Sequence, residues 1–310
     1  MATKFEIRPM TEADWDEVGE LIYLSTNYWY EANGRSRIFG CDPKEAQLFC
    51  RVYEDLDPGC CLLAIHPDSK RIIGSCFYHP RETHVSLGIM NVHPNHFGAK
   101  VAGGLLEEII SLAGSQNLPV RLVSSAMNLD SFSLYTKRGF RSIRSFQDMF
   151  VSVPGDGLKN LPPAQTVREA TLDDVPAMVQ LEEELTGIRR AKDYRYFIEN
   201  RLGIWHTSVS TDATSGKIDG FLSSVTHPAS NMLGPGCART SQAAFDLIVA
   251  ELDRQRGRSP VFLVPTDDQQ LASALYAIGA RNCELHFAQV CGETQPSAGV
   301  VMPTFMPETG

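Results

Sequence analysis

Hydrophobic positions in the first twenty-five residues change period once. FEIRP alternates, then Trp15, Val18, Leu21, Ile22 and Leu24 recur at helical spacing behind Thr11, Glu12 and Asp14. Period two predicts a strand. Period 3.6 behind a capping Thr and an acidic first turn predicts a helix. CCLLAIHP (60–67) and RIIGSCFYHP (71–80) read as paired strands around an Asp68-Ser69 turn, and HVSLGIMNVHP (84–94) as the next strand. KVAGGLLEEIISLAGSQ follows as a helix with Val101, Leu105, Ile109 and Leu112 on one face. VRLVSSAM (120–127) is a strand, and LDSFSLYTKRGF a short helix that Gly139 ends. RSIRSFQDMFVSV has strand character. The order is β-α-(α)-β-β-β-α-β-α-β.

The opening pattern returns about 160 residues later in TVREATLDDVPAMVQLEEEL, where Arg168, Thr171 and Asp174 match Arg8, Thr11 and Asp14. A second echo sets SFSLYTKRGF (131–140) against LASALYAIGA (271–280). Two echoes in one order predict a duplicated domain. VPGDGLKNLPPAQ (153–165) is rich in Pro and Gly, lacks periodicity and reads as a linker. The expected organisation is a first domain over 1–152, a linker over 153–165, a second domain over 166–292 and an irregular tail over 293–310.

Composition narrows the function classes. The 310 residues are 43% apolar and carry a net charge of −9. The first 150 residues hold 15 basic and 18 acidic side chains, so neither half is a basic module. Binding to nucleic acid or to an anionic membrane is not expected. The eight cysteines (41, 50, 60, 61, 76, 237, 283, 291) form no CxxC, and no apolar run approaches a membrane span or a signal segment. A cytoplasmic protein with reduced thiols and no metal site is the expectation.

VHPNHFGAKVAGGLLEEI (92–109) outlines a strand, a tight loop and a helix start. Amides exposed at a helix N-terminus can hold a phosphate. GAKVAGG is not G-x-G-x-x-G, and no GK[ST] ending appears, so two nucleotide motifs are excluded.

The chain resembles the GNAT superfamily of acyl-CoA-dependent N-acyltransferases in two segments. Val92, Pro94 and the stretch through Leu105-Leu106 resemble its pyrophosphate-gripping segment. Asn128, Leu134, Tyr135, Gly139 and Phe140 resemble its N-x-x-A-x-x-L-Y-x-x-x-G-F segment, with Ser131 in the Ala place. Together they cover roughly residues 5 to 150. The resemblance implies two tandem GNAT-like domains of α/β (α+β) class. Each has a mixed, mostly antiparallel central sheet flanked by helices, and the second copy is degenerate. The loop LGPGCARTS of the second half does not match.

What the resemblance implies for the site follows residue by residue. Met90, Asn91 and Val92 lie on the strand whose backbone N–H polarises the thioester carbonyl, a strand the family splays from its neighbour. Gly98, Ala99, Lys100, Val101, Ala102 and Gly103 form the phosphate loop. The family pattern R/Q-x-x-G-x-G/A meets Phe97, Lys100 and Ala102 here, and only the last fits. Lys100 either crowds the loop or pairs with a phosphate. Tyr135 stands where the family protonates the departing thiolate, or it caps the core; a phenol ordinarily titrates near 10. Asn128 bonds the cofactor or caps the following helix. The base is His84 or Glu82, both entering the central strand. Tyr28, Tyr30, Arg35 and Arg37 either wall an acceptor site or belong to a packed loop.

The implied activity is N-acetyltransfer from acetyl-CoA to an unidentified primary amine, on a small molecule or a peptide, by direct attack in a ternary complex. The alternative is a non-catalytic acyl-CoA sensor or an interaction protein on the same fold. The chain is expected as a monomer with pseudo-dimeric halves or as a homodimer.

Overall fold

The computed structural model describes residues 5–40, 42–159 and 166–308. The chain divides into two compact units. Among the described residues, the first comprises 5–80, 84–122 and 305–308 and the second 81–83 and 123–304.

In the first unit β1 (Glu6–Pro9) leads through a single 3-10 turn into α1 (Trp15–Ala32), then α2 (Gln47–Leu56), β2 (Cys61–Ile65), β3 (Ile72–Pro80), β4 (Val85–Val92), α3 (Val101–Ser115) and β5 (Val120–Ser125). Strands β1 to β4 pair antiparallel in chain order, and β5 joins β4 parallel. Strand β3 is buried along almost its whole length, as a central strand must be, and its apolar residues alternate between helical layers. Val18 and Ile22 of α1, and Leu105 and Ile109 of α3, are fully buried.

The second unit continues with α4 (Leu129–Lys137), β6 (Arg141–Phe150), β7 (Val167–Glu169), α5 (Val175–Thr186), α6 (Ala191–Glu199), β8 (Trp205–Thr211), β9 (Ile218–His227), β10 (Ser230–Ala238), α7 (Ser241–Arg254), β11 (Val261–Pro265), α8 (Gln269–Ala277), β12 (Arg281–Cys291) and β13 (Val300–Met302). Its strands run in the order β12-β6-β11-β10-β9-β8-β7, with β13 on β10. Only β10 and β11 are parallel. A mixed, mostly antiparallel sheet flanked by helices in each unit is the fold class expected.

The repeat is visible in three dimensions. Arg8 grips Asp14 through two nitrogens at 2.7 and 2.8 Å, and the Asp14 carboxylate accepts from the Thr11 amide and hydroxyl. Arg168, Thr171 and Asp174 repeat that arrangement with the same two guanidinium distances. The Arg168 guanidinium is the main cause that pulls the Asp174 carboxyl down to about 2.

Two features were not expected from the sequence. The compact units do not part at 153–165. Strand β6 sits between β12 and β11, so Phe150 faces both Arg281 and Val261. Met149, Val151 and Val153 enter the core of the second unit. The last strand of the first copy thus completes the sheet of the second. Residues 160–165 of the linker lie outside the described residues. The expected irregular tail is also corrected. It forms β13, and Phe305–Glu308 counts with the first unit, with Met306 and Glu308 buried.

Candidate active site

The central strand of the first unit is irregular where chemistry is expected. Opposite Phe77, β4 carries two residues, Gly88 and Ile89, so the register shifts between Cys76–Met90 and Tyr78–Leu87. This is a β-bulge, which bends a strand and re-aims its groups. Gly88 is required there. A Cβ would lie 2.8 Å from His79 Nε2 and 2.9 Å from the Phe77 carbonyl oxygen. Strand β5 pairs with β4 only at Val85 and Ser86, before the bulge. The His93 amide donates to the Ile73 carbonyl, so by antiparallel alternation the Val92 and Met90 amides point to the edge that β5 has left. Asn91 faces the other way. Its side chain is buried and donates to Ser25 and Thr26 of α1 at 2.7 and 3.3 Å. Of the three strand residues, Met90 and Val92 offer amides to the open edge, and Asn91 anchors a helix.

The loop after β4 ends at Lys100, which caps α3 in the left-handed conformation (φ +66°). Gly98 shares that region at +75°. Lys100 therefore occupies a backbone state suited to glycine, at a cost of roughly 1–2 kcal/mol. Its side chain gives α3 no cap bond, and the helix begins its own ladder only at Gly104. The amides of Val101, Ala102 and Gly103 are the orphan donors of a helix start. Lys100→Gly should raise stability by about 0.5–1 kcal/mol, the relieved strain less the added chain entropy. Acetyl-CoA affinity should fall several-fold with the loss of the ammonium. Denaturant melts and a titration read the two effects separately, and unchanged or tighter binding would mean that Lys100 only crowds the loop.

The second copy has the same device, closed. Strand β10 pairs with β11 only at Met232 and Leu233, then bulges at Gly234-Pro235. Beyond the bulge, where the corresponding edge of β4 stands open, β13 pairs with Gly236, Cys237 and Ala238. The following helix, α7, is capped by Thr240, whose hydroxyl accepts from the Ala243 amide. In the second copy the corresponding strand edge is paired with β13, and the Ala243 amide of the helix start is capped by Thr240.

Asn128 and Tyr135 fall in the second compact unit, the loop and β4 in the first. Asn128 caps α4, accepting from the Ser131 amide at 3.0 Å. Tyr135 is buried with its ring against Phe140 at 5.6 Å. The echo of 131–140 at 271–280 keeps one frame in the second copy. Asp268 caps α8 as Asn128 caps α4, and Gly279 ends it as Gly139 does. In that frame Leu275, not Tyr276, takes the place of Tyr135. Tyr276 is exposed and donates to Gln147. The second copy has no phenol in that place.

The remaining expected residues scatter. Tyr28 is half exposed and meets Phe97 of the loop edge-on at 5.9 Å. Tyr30 packs on Trp29, and Arg37 pairs with Glu31 at the surface. Arg35 is exposed. The loop that holds these two arginines is pinned by buried Asn27, which accepts from the amides of Ile38 and Phe39. His84 is buried against Ser86, 3.0 Å away, and Glu82 is exposed beside Arg189.

One cluster in the first unit escaped the sequence reading. Asp57, following α2, meets His79 Nδ1 at 2.7 Å, and His79 Nε2 lies 4.0 Å from Glu308. Tyr53 of α2 donates to the Glu308 carboxylate, and the Ile89 amide of the bulge also bonds it. Burial pushes the Glu308 carboxyl up to about 8, against the pull of those hydrogen bonds. The available signal was the apolar run GVVMPTFMP just before Glu308, unusual for a solvated tail.

Residues 26–140 match the profile of the Acetyltransferase (GNAT) family. Among solved structures, a putative acetyltransferase from Pyrococcus horikoshii aligns over 98% of this chain and 95% of its own, with 13% identity and a TM-score of 0.73. A tandem GNAT protein from the clavulanic acid biosynthesis pathway aligns over 94% and 100%, with 14% identity and a TM-score of 0.62. The Saccharomyces cerevisiae N-myristoyltransferase, solved with myristoyl-CoA, aligns over 96% and 83%, with 11% identity and a TM-score of 0.60. At these identities the likeness is one of fold. No curated protein matches the sequence. No helix among the described residues is long and apolar enough to cross a membrane.

Proposed function

We propose that the chain, whose residues 26–140 match the profile of the Acetyltransferase (GNAT) family, is an acyl-CoA-dependent N-acyltransferase that transfers acetyl from acetyl-CoA to a primary amine on a small molecule or peptide. One observation carries the reading. In the first copy, among the described residues, the strand edge at Met90 and Val92 and the helix start at Val101–Gly103 both keep amide donors without a backbone partner. An extended chain bearing amides can add to a strand edge, and a pyrophosphate suits a helix start. The donor supplies the activated acyl group. The Met90 amide, aimed at the open edge, polarises its carbonyl, and Lys100 adds a cation to the phosphate end.

The acid role falls to Tyr135 by the resemblance of its own segment alone, and the acceptor role in the first unit to Tyr28 and the pinned loop that holds Arg35. Attack is direct, without an acyl-cysteine. Burial pushes the Cys50 thiol up to about 12 and the Cys61, Cys76 and Cys237 thiols well above their usual value, which suppresses the thiolate a nucleophile needs.

The test is thiol release from acetyl-CoA in the presence of primary amines, run beside octanoyl- and myristoyl-CoA. Amine-dependent release with acetyl-CoA preferred supports the reading. Preference for a long chain would move the donor class, and release with no amine dependence would end it.

A further inference from the structure

We propose that Glu308, delivered from the far end of the chain, is the catalytic base of the first copy, held in place by Tyr53, His79 and Asp57. The assignment rests on the acyl-transfer reading and supplies what that reading lacks. Glu308 and the bulge of β4 meet directly. The carboxylate bonds the Ile89 amide, the residue next to Met90, whose amide faces the open edge. A base at this point lies one residue from the group that polarises the carbonyl. His84 and Glu82 have no such placement: one is held by Ser86, and the other is exposed beside Arg189.

The surroundings are built around this carboxylate. Tyr53 is fully buried, stacks edge-on against His79 at 4.7 Å and donates to Glu308. The Tyr53 phenol also lies 3.3 Å from the Phe305 carbonyl, which fixes the approach of the chain. With Nδ1 of His79 against the Asp57 carboxylate, the ring is oriented so that Nε2 faces Glu308. Gly88 leaves the space that His79 needs. The titratable groups facing Glu308 are Tyr53 from α2, His79 and Cys76 from β3, and Asp57 behind His79. Tyr53 and Cys76 are both raised by burial, so they stay neutral and leave Glu308 as the group that changes charge. The second copy has no counterpart. Counting from Ser223, the residue opposite its bulge, Val225 takes the place of His79.

The step balances simply. The amine nitrogen forms the C–N bond as the C–S bond breaks, and the electron pair leaves on sulfur, which takes a proton from the acid. The proton lost by nitrogen passes to the Glu308 carboxylate and from there to solvent. The carboxylate must be ionised to accept it. Its burial sets that ionisation near 8, so the rate rises with pH through about 8 and then levels.

The experiment compares wild type, Glu308→Gln, Glu308→Asp and His79→Gln in steady-state turnover of acetyl-CoA with a panel of primary amines from pH 6 to 10. Each rate is paired with a calorimetric titration of acetyl-CoA. Glu308→Gln preserves size and the Tyr53 contact. It should lower kcat by about 100-fold and flatten the rising limb, with acetyl-CoA affinity unchanged. Glu308→Asp should restore part of the rate, and His79→Gln should shift the limb rather than remove it. With methoxyamine, an acceptor basic so weakly that it is neutral throughout this pH range, Glu308→Gln should lose far less. An undiminished rate and an intact limb in Glu308→Gln would overturn this assignment alone. No turnover by wild type with any amine would overturn the transfer reading and the assignment together.

Discussion

Tyr135→Phe should lower kcat with acetyl-CoA by about 10²–10³-fold and leave acetyl-CoA affinity within a factor of about two. The substitution removes one oxygen from a buried ring whose packing partner, Phe140, stays in contact, so the fold is spared. An acid acts only when the thiolate departs, and its loss therefore appears in kcat rather than in binding. If Tyr135 merely packs, kcat will not change. If the chain is an acyl-CoA sensor, there will be no turnover to lose. The second copy offers an internal contrast, because Leu275 stands in the corresponding place.

Glu182→Ala should destabilise the second unit by about 3–5 kcal/mol in denaturant unfolding. Glu182 and Arg190 are almost wholly buried, and the pair is closed by Tyr194, whose hydroxyl bonds both. Removing the carboxylate strands a guanidinium away from water, which costs far more than the pair contributes. A beside-lying pair, Arg81 with Asp193, is buried too and adds to the local charge. Replacing both partners together, Glu182→Leu with Arg190→Met, should recover most of the loss. The single variant behaving like wild type would mean that water reaches the site. The second copy thus keeps a buried ion pair within its own fold while β13 covers its strand edge.

Much of this arrangement was legible in the sequence because it is local. Thr11 and Thr171 announce two capped helices, Asn128 and Gly139 bracket a third, and VHPNHFGAK outlines a loop before a fourth. What stayed hidden depends on distant pairing. Nothing in RSIRSFQDMFVSV says that it will lie between two strands from the other half. The alternation that makes it a strand is the same whichever neighbours it takes. The tail failed for the same reason. GVV reads as a short apolar fragment, and only the empty edge of β10 makes it β13. Lys100 was legible as a departure from the family pattern. Its left-handed backbone shows the departure to be in the side chain and not in the loop. The echo at 271–280 keeps the frame of the cap and the terminal glycine, and in that frame the LY pair of the second copy stands one place later, with Leu275 opposite Tyr135. Glu308 was the largest omission, a carboxylate more than two hundred residues from the strand that it touches.

The central claim is that one copy is open to an acyl-CoA and the other is sealed by its own chain. Calorimetric titration of the 310-residue chain with acetyl-CoA tests it most directly. The account predicts a single class of sites at one per chain. That site should weaken in Lys100→Gly and be indifferent to substitution of Thr240 at the capped helix of the second copy. Two sites per chain, or none, would contradict it.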